Sequence, residues 1–129
     1  MLGLTGKETE FNFNCSDFII KGRIDGEGKD YIIDLKKVAD ASIKKVKWII
    51  QDMFYDMQGA IYCHASHKFK YFLIFIDHSC NVTVVKLSEE TLENGFKAFA
   101  ITLEEFRRCV EEDLFQSSYE FYNNGFIEI

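Results

Sequence analysis

Two aspartates and a lysine, Asp25, Asp34 and Lys36, stand close together in the stretch GRIDGEGKDYIIDLKK, from Gly22 to Lys37. Strand residues alternate between faces, so in YIIDLKK the side chains of Ile32, Asp34 and Lys36 share one face, and Tyr31, Ile33 and Leu35 are expected to enter the core from the other. The preceding run puts Lys21, Arg23 and Asp25 on one face, and the break at Gly26-Glu27-Gly28 turns the chain so that Asp25 comes beside the strand carrying Asp34. Carboxylate oxygens are hard ligands for Mg²⁺ or Mn²⁺. Such an ion polarises a phosphate and lowers the pKa of a bound water, while a lysine orients that water or balances charge in a pentavalent transition state. The chemistry these residues could do is hydrolysis of a phosphodiester. The plainer alternative is a solvated strand edge holding Asp34 and Lys36, with Asp25 as a turn residue.

A second group lies on the segment that follows. In YDMQGAIYCHA, Tyr55, Gln58 and Tyr62 fall at i, i+3 and i+7, and Gln51 extends the line by one turn, giving a polar stripe opposite an apolar one. A third set, Cys63, His64 and His67 with His78 and Cys80, holds residue types that bind zinc. Its spacing matches no standard zinc knuckle, and the set reads instead as loop histidines and half-buried thiols.

These residues must be positioned by a real core. A chain of 129 residues with 47% hydrophobic and 16% aromatic content builds one, and it reads as a single domain over residues 1–129. The net charge of -6 argues against a generally basic nucleic-acid coat, though it leaves room for a local basic track around an acidic site. No apolar run approaches the roughly 18 residues that span a bilayer, and the start of the chain lacks the features of a secretory leader. The four cysteines form no CxxC pair and fit reduced thiols. The expected setting is the cytoplasm.

Proline is absent, so turns fall to Gly, Asn and Asp. Strands are expected over Glu10–Phe13 and Phe18–Asp25, parted by Asn14-Cys15-Ser16-Asp17, with a third over Tyr31–Lys36 completing an antiparallel meander. A single long helix should open at Ala41 or Ser42 and end near Cys63, its buried stripe being Ile43, Val46, Ile50, Met53, Phe54, Met57 and Ile61. Lys68–Asp77 reads as a strand buried on both faces, with Asn81–Leu87 as its neighbour. Ser88 supplies a helix N-cap, followed by Glu89 and Glu90 where the helix dipole favours them. Leu92, Phe96, Phe99, Leu103, Phe106 and Val110 then mark another amphipathic helix. The order βββαββα gives an α/β (α+β) fold, a mixed central sheet flanked by helices.

KGRID, YIIDLKK and YxxQxxxY, in this order and spacing, resemble the PD-(D/E)XK nuclease superfamily and within it the RecE-like exonuclease branch of phages and prophages. The resemblance runs from about Glu10 onward and takes in the buried strand and the LSEETLENGF passage. It implies a restriction-endonuclease-like core and a metal-dependent deoxyribonuclease, an exonuclease acting in DNA recombination. By the same resemblance Asp25 is the first metal-binding aspartate, Asp34 the second acidic ligand with the Leu35 carbonyl beside it, and Lys36 the catalytic lysine. Gln58 and Tyr62 match the glutamine-tyrosine motif that braces the site and the DNA end. Glu10, or less well Glu8, stands where an upstream acidic ligand often completes the metal sites. The implied cofactor is Mg²⁺ or Mn²⁺. The implied partners are DNA, a single-strand annealing protein and further copies of the chain, in a bacterial or phage-infected cell.

The chain also departs from that pattern. Relatives carry a helical segment before the first strand that helps to form the DNA channel, and here a short form lacking it is expected. Lys37 stands where a threonine commonly follows the lysine, Asp77-His78-Ser79-Cys80 replaces a glutamate-proline turn, and the iron-sulfur cysteines of some relatives have no counterparts. Two readings follow: an active nuclease, or a truncated nuclease-fold binding protein without catalysis, such as a phage-encoded inhibitor or accessory subunit. The aromatic run FQSSYEFYNNGF offers Phe115, Tyr119, Phe121, Tyr122 and Phe126 as contacts for a homo-oligomer, or as a segment that folds back over the sheet.

Overall fold

A computed structural model describes residues 8–15 and 17–114. Its elements are β1 (Thr9–Cys15), β2 (Phe18–Ile24), β3 (Gly26–Glu27), β4 (Tyr31–Lys37), α1 (Ile43–Asp52), α2 (Tyr55–Ser66), β5 (Lys70–Ile76), β6 (Val82–Lys86) and α3 (Glu89–Glu112). The aromatic residues from Phe115 to Phe126 lie outside the described residues. The chain falls into two compact units, the first ending at Phe99 and the second beginning at Ala100.

The first unit is the mixed α/β arrangement expected, with two differences in how its strands and helices are cut. The first three strands do not form one meander. Strands β1 and β2 make their own antiparallel ladder, with Thr9 opposite Ile24 and Cys15 opposite Phe18. The supposed glycine break is itself a short strand, β3, which places Gly26 opposite Ile33 and Glu27 opposite Ile32. The second sheet then runs β3-β4-β5-β6, with β4 and β5 parallel and the outer pairings antiparallel. A bend at Asp25 separates the two ladders, so that residue sits at their junction.

The expected long helix is two helices. Phe54, at φ 55° and ψ 40°, adopts the left-handed conformation that L-residues with a Cβ avoid. No Gly or Pro marks the break, which is why the periodicity reads straight through it. The buried stripe changes accordingly. In α1 it is Val46, with Ile49 and Ile50 packed against the core, whereas Ile43, Met53 and Phe54 are exposed.

Strand β5 alternates strictly, with Tyr71, Leu73 and Phe75 wholly buried. Its parallel register sets Ile32 opposite Tyr71, Asp34 opposite Leu73 and Lys36 opposite Phe75, so these residues share the inward face. This corrects the expected assignment of faces on β4: Ile32 and Asp34 point inward, and Leu35 is 55% exposed. Ile33 is buried as expected, from the opposite face. Fully burying apolar side chains such as Ile32, Leu73 and Phe75 contributes about 1.5–3 kcal/mol each.

Two glycines allow close approach. A Cβ on Gly59 of α2 would lie 3.0 Å from the Tyr71 ring and 3.1 Å from Leu87, so only hydrogen lets the helix settle this closely on the sheet. A Cβ on Gly95 would lie 2.4 Å from the Asp56 carbonyl oxygen, so α3 crosses α2 there backbone against backbone. Ser88 caps α3 as anticipated, its Oγ accepting a hydrogen bond from the Thr91 amide at 3.1 Å. Asp77 is structural. Its carboxylate accepts from the side-chain amide of Asn81 and from the backbone amides of Ala41, Ser79 and Asn81, holding the β5–β6 turn and the approach to α1, and the Asn81 side chain first, with those backbone bonds, keeps its pKa low.

In the second unit, residues 100–114 carry the end of α3. Arg107 pairs with Glu104 and Glu111, and Arg108 with Glu105 and Glu112, at helical spacing on exposed positions. Exposed pairs of this kind add little stability. No helix among the described residues is long and apolar enough to cross a membrane.

Candidate active site

Asp34 is the chemical oddity of the core, the one buried charged residue among those described, at 5% exposure. It is there because β4 must present its inward face to α2 and β5, and position 34 falls on that face. Burial raises its pKa to about 6, hydrogen bonding to Asp25 adds to the rise, and Lys36 opposes it. The Lys36 Nζ lies 2.7 Å from Asp34 Oδ2. The contact is close in charge but poor in direction, and Oδ2 has no well-formed hydrogen bond among the described residues.

The lysine is held from several sides. Its ammonium donates to Gln58 Oε1 at 3.2 Å and stands 4.3 Å from the centre of the Tyr55 ring. Gln58 and Tyr55 reach it because the Phe54 break restarts the helix at Tyr55 and Gly59 seats α2 against β5. Asp25, at the junction of the ladders, accepts a hydrogen bond from the Leu35 amide through Oδ2 at 3.0 Å. That bond ties the first carboxylate to the residue that follows the second.

Asp25, Asp34, Lys36 and Gln58 are therefore brought together. Tyr62 lies one turn along α2 from Gln58 and braces the interior, its ring edge-on to Phe11 at 4.9 Å and to Tyr71 at 6.2 Å. Glu10 is not brought to these carboxylates. It is an exposed residue opposite Arg23 in the hairpin, 3.0 Å from that guanidinium, and Glu8 pairs with the same arginine at 3.2 Å. A cross-strand partner already satisfies it. Among the described residues no cluster of three or more His, Cys, Asp or Glu side chains is placed to hold a metal ion. Cys63 is buried, which pushes its thiol up to about 11, and His64 stacks on Phe96 at 3.7 Å.

Sequence reasoning missed one neighbour of the lysine. Tyr55 reads as part of a polar stripe, with nothing in its spacing to show that its ring lies beside Lys36. The two carboxylates brought together here, Asp25 and Asp34, offer hard oxygens. A buried carboxylate oxygen lacking a good hydrogen bond suits a hard divalent cation such as Mg²⁺ or Mn²⁺.

The chain matches no family model and no curated protein sequence. Among solved structures it is similar to a crystal structure of a candidate exonuclease from Eubacterium rectale, with a TM-score of 0.76 and 17% identity, over 97% of this chain and 54% of that one. The likeness is one of fold, a mixed α/β core, and the chain spans about half the length of that protein. A second solved structure, of SSO0001, aligns over 76% of this chain and 49% of its own at 21% identity and a TM-score of 0.43, too low to carry an argument.

Proposed function

We propose that the protein is a metal-dependent deoxyribonuclease, a RecE-like exonuclease of the kind phages use in recombination. The observation that carries this reading is the convergence of Asp25, Asp34, Lys36 and Gln58 on a buried strand end, inside a fold shared with a candidate exonuclease. Asp25, Asp34 and the Leu35 carbonyl would hold Mg²⁺ or Mn²⁺, which when bound supplies a polarised phosphate and a water of lowered pKa. Asp34 must be ionised for this, and Lys36 is placed to stabilise that charge. The same ammonium, held by Gln58 and the Tyr55 ring, is positioned to meet negative charge developing on a phosphate. Gln58 ties α2 to the lysine on β4, and Tyr62 holds α2 against Phe11 of β1 and Tyr71 of β5. DNA is the substrate in this reading, with a strand-annealing protein and further copies of the chain as partners in the cytoplasm.

One observation favours a second reading, a nuclease-fold binding protein without catalysis. The upstream glutamates are engaged by Arg23, which leaves two carboxylates rather than three at the site. Incubation of the purified chain with linear, nicked and single-stranded DNA in Mg²⁺, Mn²⁺ or EDTA separates the two. Metal-dependent cleavage that disappears in Lys36→Ala supports the nuclease, and no cleavage under any metal supports the binding protein.

A further inference from the structure

We propose that Tyr71 is a positioning residue of this site, its hydroxyl donating a hydrogen bond to the Asp34 carboxylate and fixing the direction in which that carboxylate is presented. The contact is independent of the nuclease reading, whereas its use in presenting a metal ligand rests on that reading.

The argument starts from two atoms. Among the described residues, the buried side-chain oxygens and nitrogens left without a hydrogen bond are Tyr71 Oη and Asp34 Oδ2. Tyr71 is wholly buried and leaving its hydroxyl unpaired is unfavourable, while Asp34 Oδ2, also buried, has the Lys36 ammonium at 2.7 Å but no well-directed hydrogen bond. They are chemically complementary, since a phenol can donate and an ionised carboxylate can only accept. They are also neighbours. In the parallel ladder Ile32 is opposite Tyr71 and Asp34 is opposite Leu73, so the two side chains share the inward face one step apart. After burial itself, Asp34 is the largest influence on the Tyr71 phenol, acting by charge and by hydrogen bonding to push its pKa up.

Packing alone does not call for a tyrosine here. The ring fills the space beneath Gly59 and meets Tyr62 edge-on, and a phenylalanine would do both without burying a hydroxyl. Asp34 is the complementary buried group on the same inward face. With Lys36 2.7 Å from the same carboxylate, Asp34 is steadied by an ammonium and a phenol together. Groups that orient a metal ligand in this way typically change metal affinity by about 10- to 100-fold when removed.

The test uses Tyr71→Phe, which keeps the ring. In metal-free protein its effect on unfolding is measured in the native background and in Asp34→Ala, a cycle that isolates the coupling between the two side chains. The expected result is that Tyr71→Phe lowers the Tm of the native chain and does not lower that of Asp34→Ala. Equal effects in the two backgrounds, or a higher Tm for Tyr71→Phe in the native chain, would overturn the contact. Manganese titration followed by calorimetry then reads the positioning role, with an affinity loss of about 10-fold or more expected for Tyr71→Phe. An unchanged affinity, with the native chain binding, would reduce Tyr71 to a structural role and overturn the proposal. If the native chain takes up no Mn²⁺, the metal-dependent reading falls, and the metal-free cycle still decides whether Tyr71 holds Asp34.

Discussion

Replacing Asp34 by asparagine should make the metal-free protein more stable at alkaline pH, the opposite of what deleting a structural keystone does. The carboxyl titrates near 6 in the folded chain against 3.8 for an unperturbed aspartate, a displacement of about two units. At about 1.4 kcal/mol per unit, keeping this group ionised in the fold costs about 3 kcal/mol, a figure that already includes the help it receives from Lys36. Below about pH 4 the carboxyl is protonated in folded and unfolded chains alike, and the penalty is absent. It grows between about pH 4 and 6 and is fully present above. Asparagine has nearly the same shape and stays neutral throughout. Urea unfolding in EDTA should therefore show Asp34→Asn more stable than the native chain by up to about 3 kcal/mol at pH 8 and about equal to it at pH 4. A variant less stable at pH 8, or with the same advantage at both pH values, would refute the reasoning. Buried charge kept at a loss of stability is the usual mark of a working site.

Other outcomes follow from the same geometry. Saturating Mn²⁺ should stabilise the native chain, by about 2.7 kcal/mol at a hundred times its dissociation constant, and leave the Tm of Asp34→Asn unmoved. Lys36→Ala should abolish metal-dependent cleavage, by at least about 10²-fold on the scale of other charge-stabilising groups, and a residual rate near native would remove the lysine from the chemistry. Gly59→Ala pushes a methyl against the Tyr71 ring and Leu87, which must give by a few tenths of an ångström, and after offsetting the roughly 1 kcal/mol alanine gains in a helix, thermal melting should show a net loss of up to about 2 kcal/mol. Phe54→Gly relieves left-handed strain at an exposed position and should leave stability unchanged or raise it by up to about 1 kcal/mol in urea unfolding.

The sequence reveals what depends on local pattern. Strand β5 shows as an apolar run, α3 as a capped periodic segment beginning after Ser88, and Asp25, Asp34, Lys36 and Gln58 as acids, a base and an amide at spacings that a strand and a helix bring together. What stays hidden depends on partners distant in the chain. Which face of β4 is inward is decided by Tyr71, Leu73 and Phe75 on a strand more than thirty residues away, and YIIDLKK alone allows either answer. The Phe54 break has no local mark because its residue is neither Gly nor Asn, and only the packing of α1 and α2 on the sheet imposes it. Glu10 misleads because its sequence position fits a ligand, whereas cross-strand register gives it to Arg23.

The two ladders that meet at Asp25 differ in the length of chain each must close. The β1–β2 ladder closes between residues adjacent in sequence, an event of about 1–10 μs. The β4–β5 ladder must first enclose α1 and α2, a long-range closure that comes more slowly. Asp34, Lys36 and Gln58 all depend on that second closure, while Asp25 stands at the end of the first. A nascent chain holding only its hairpin therefore has Asp25 without Asp34, Lys36 or Gln58, and the cluster is completed only when the second ladder closes.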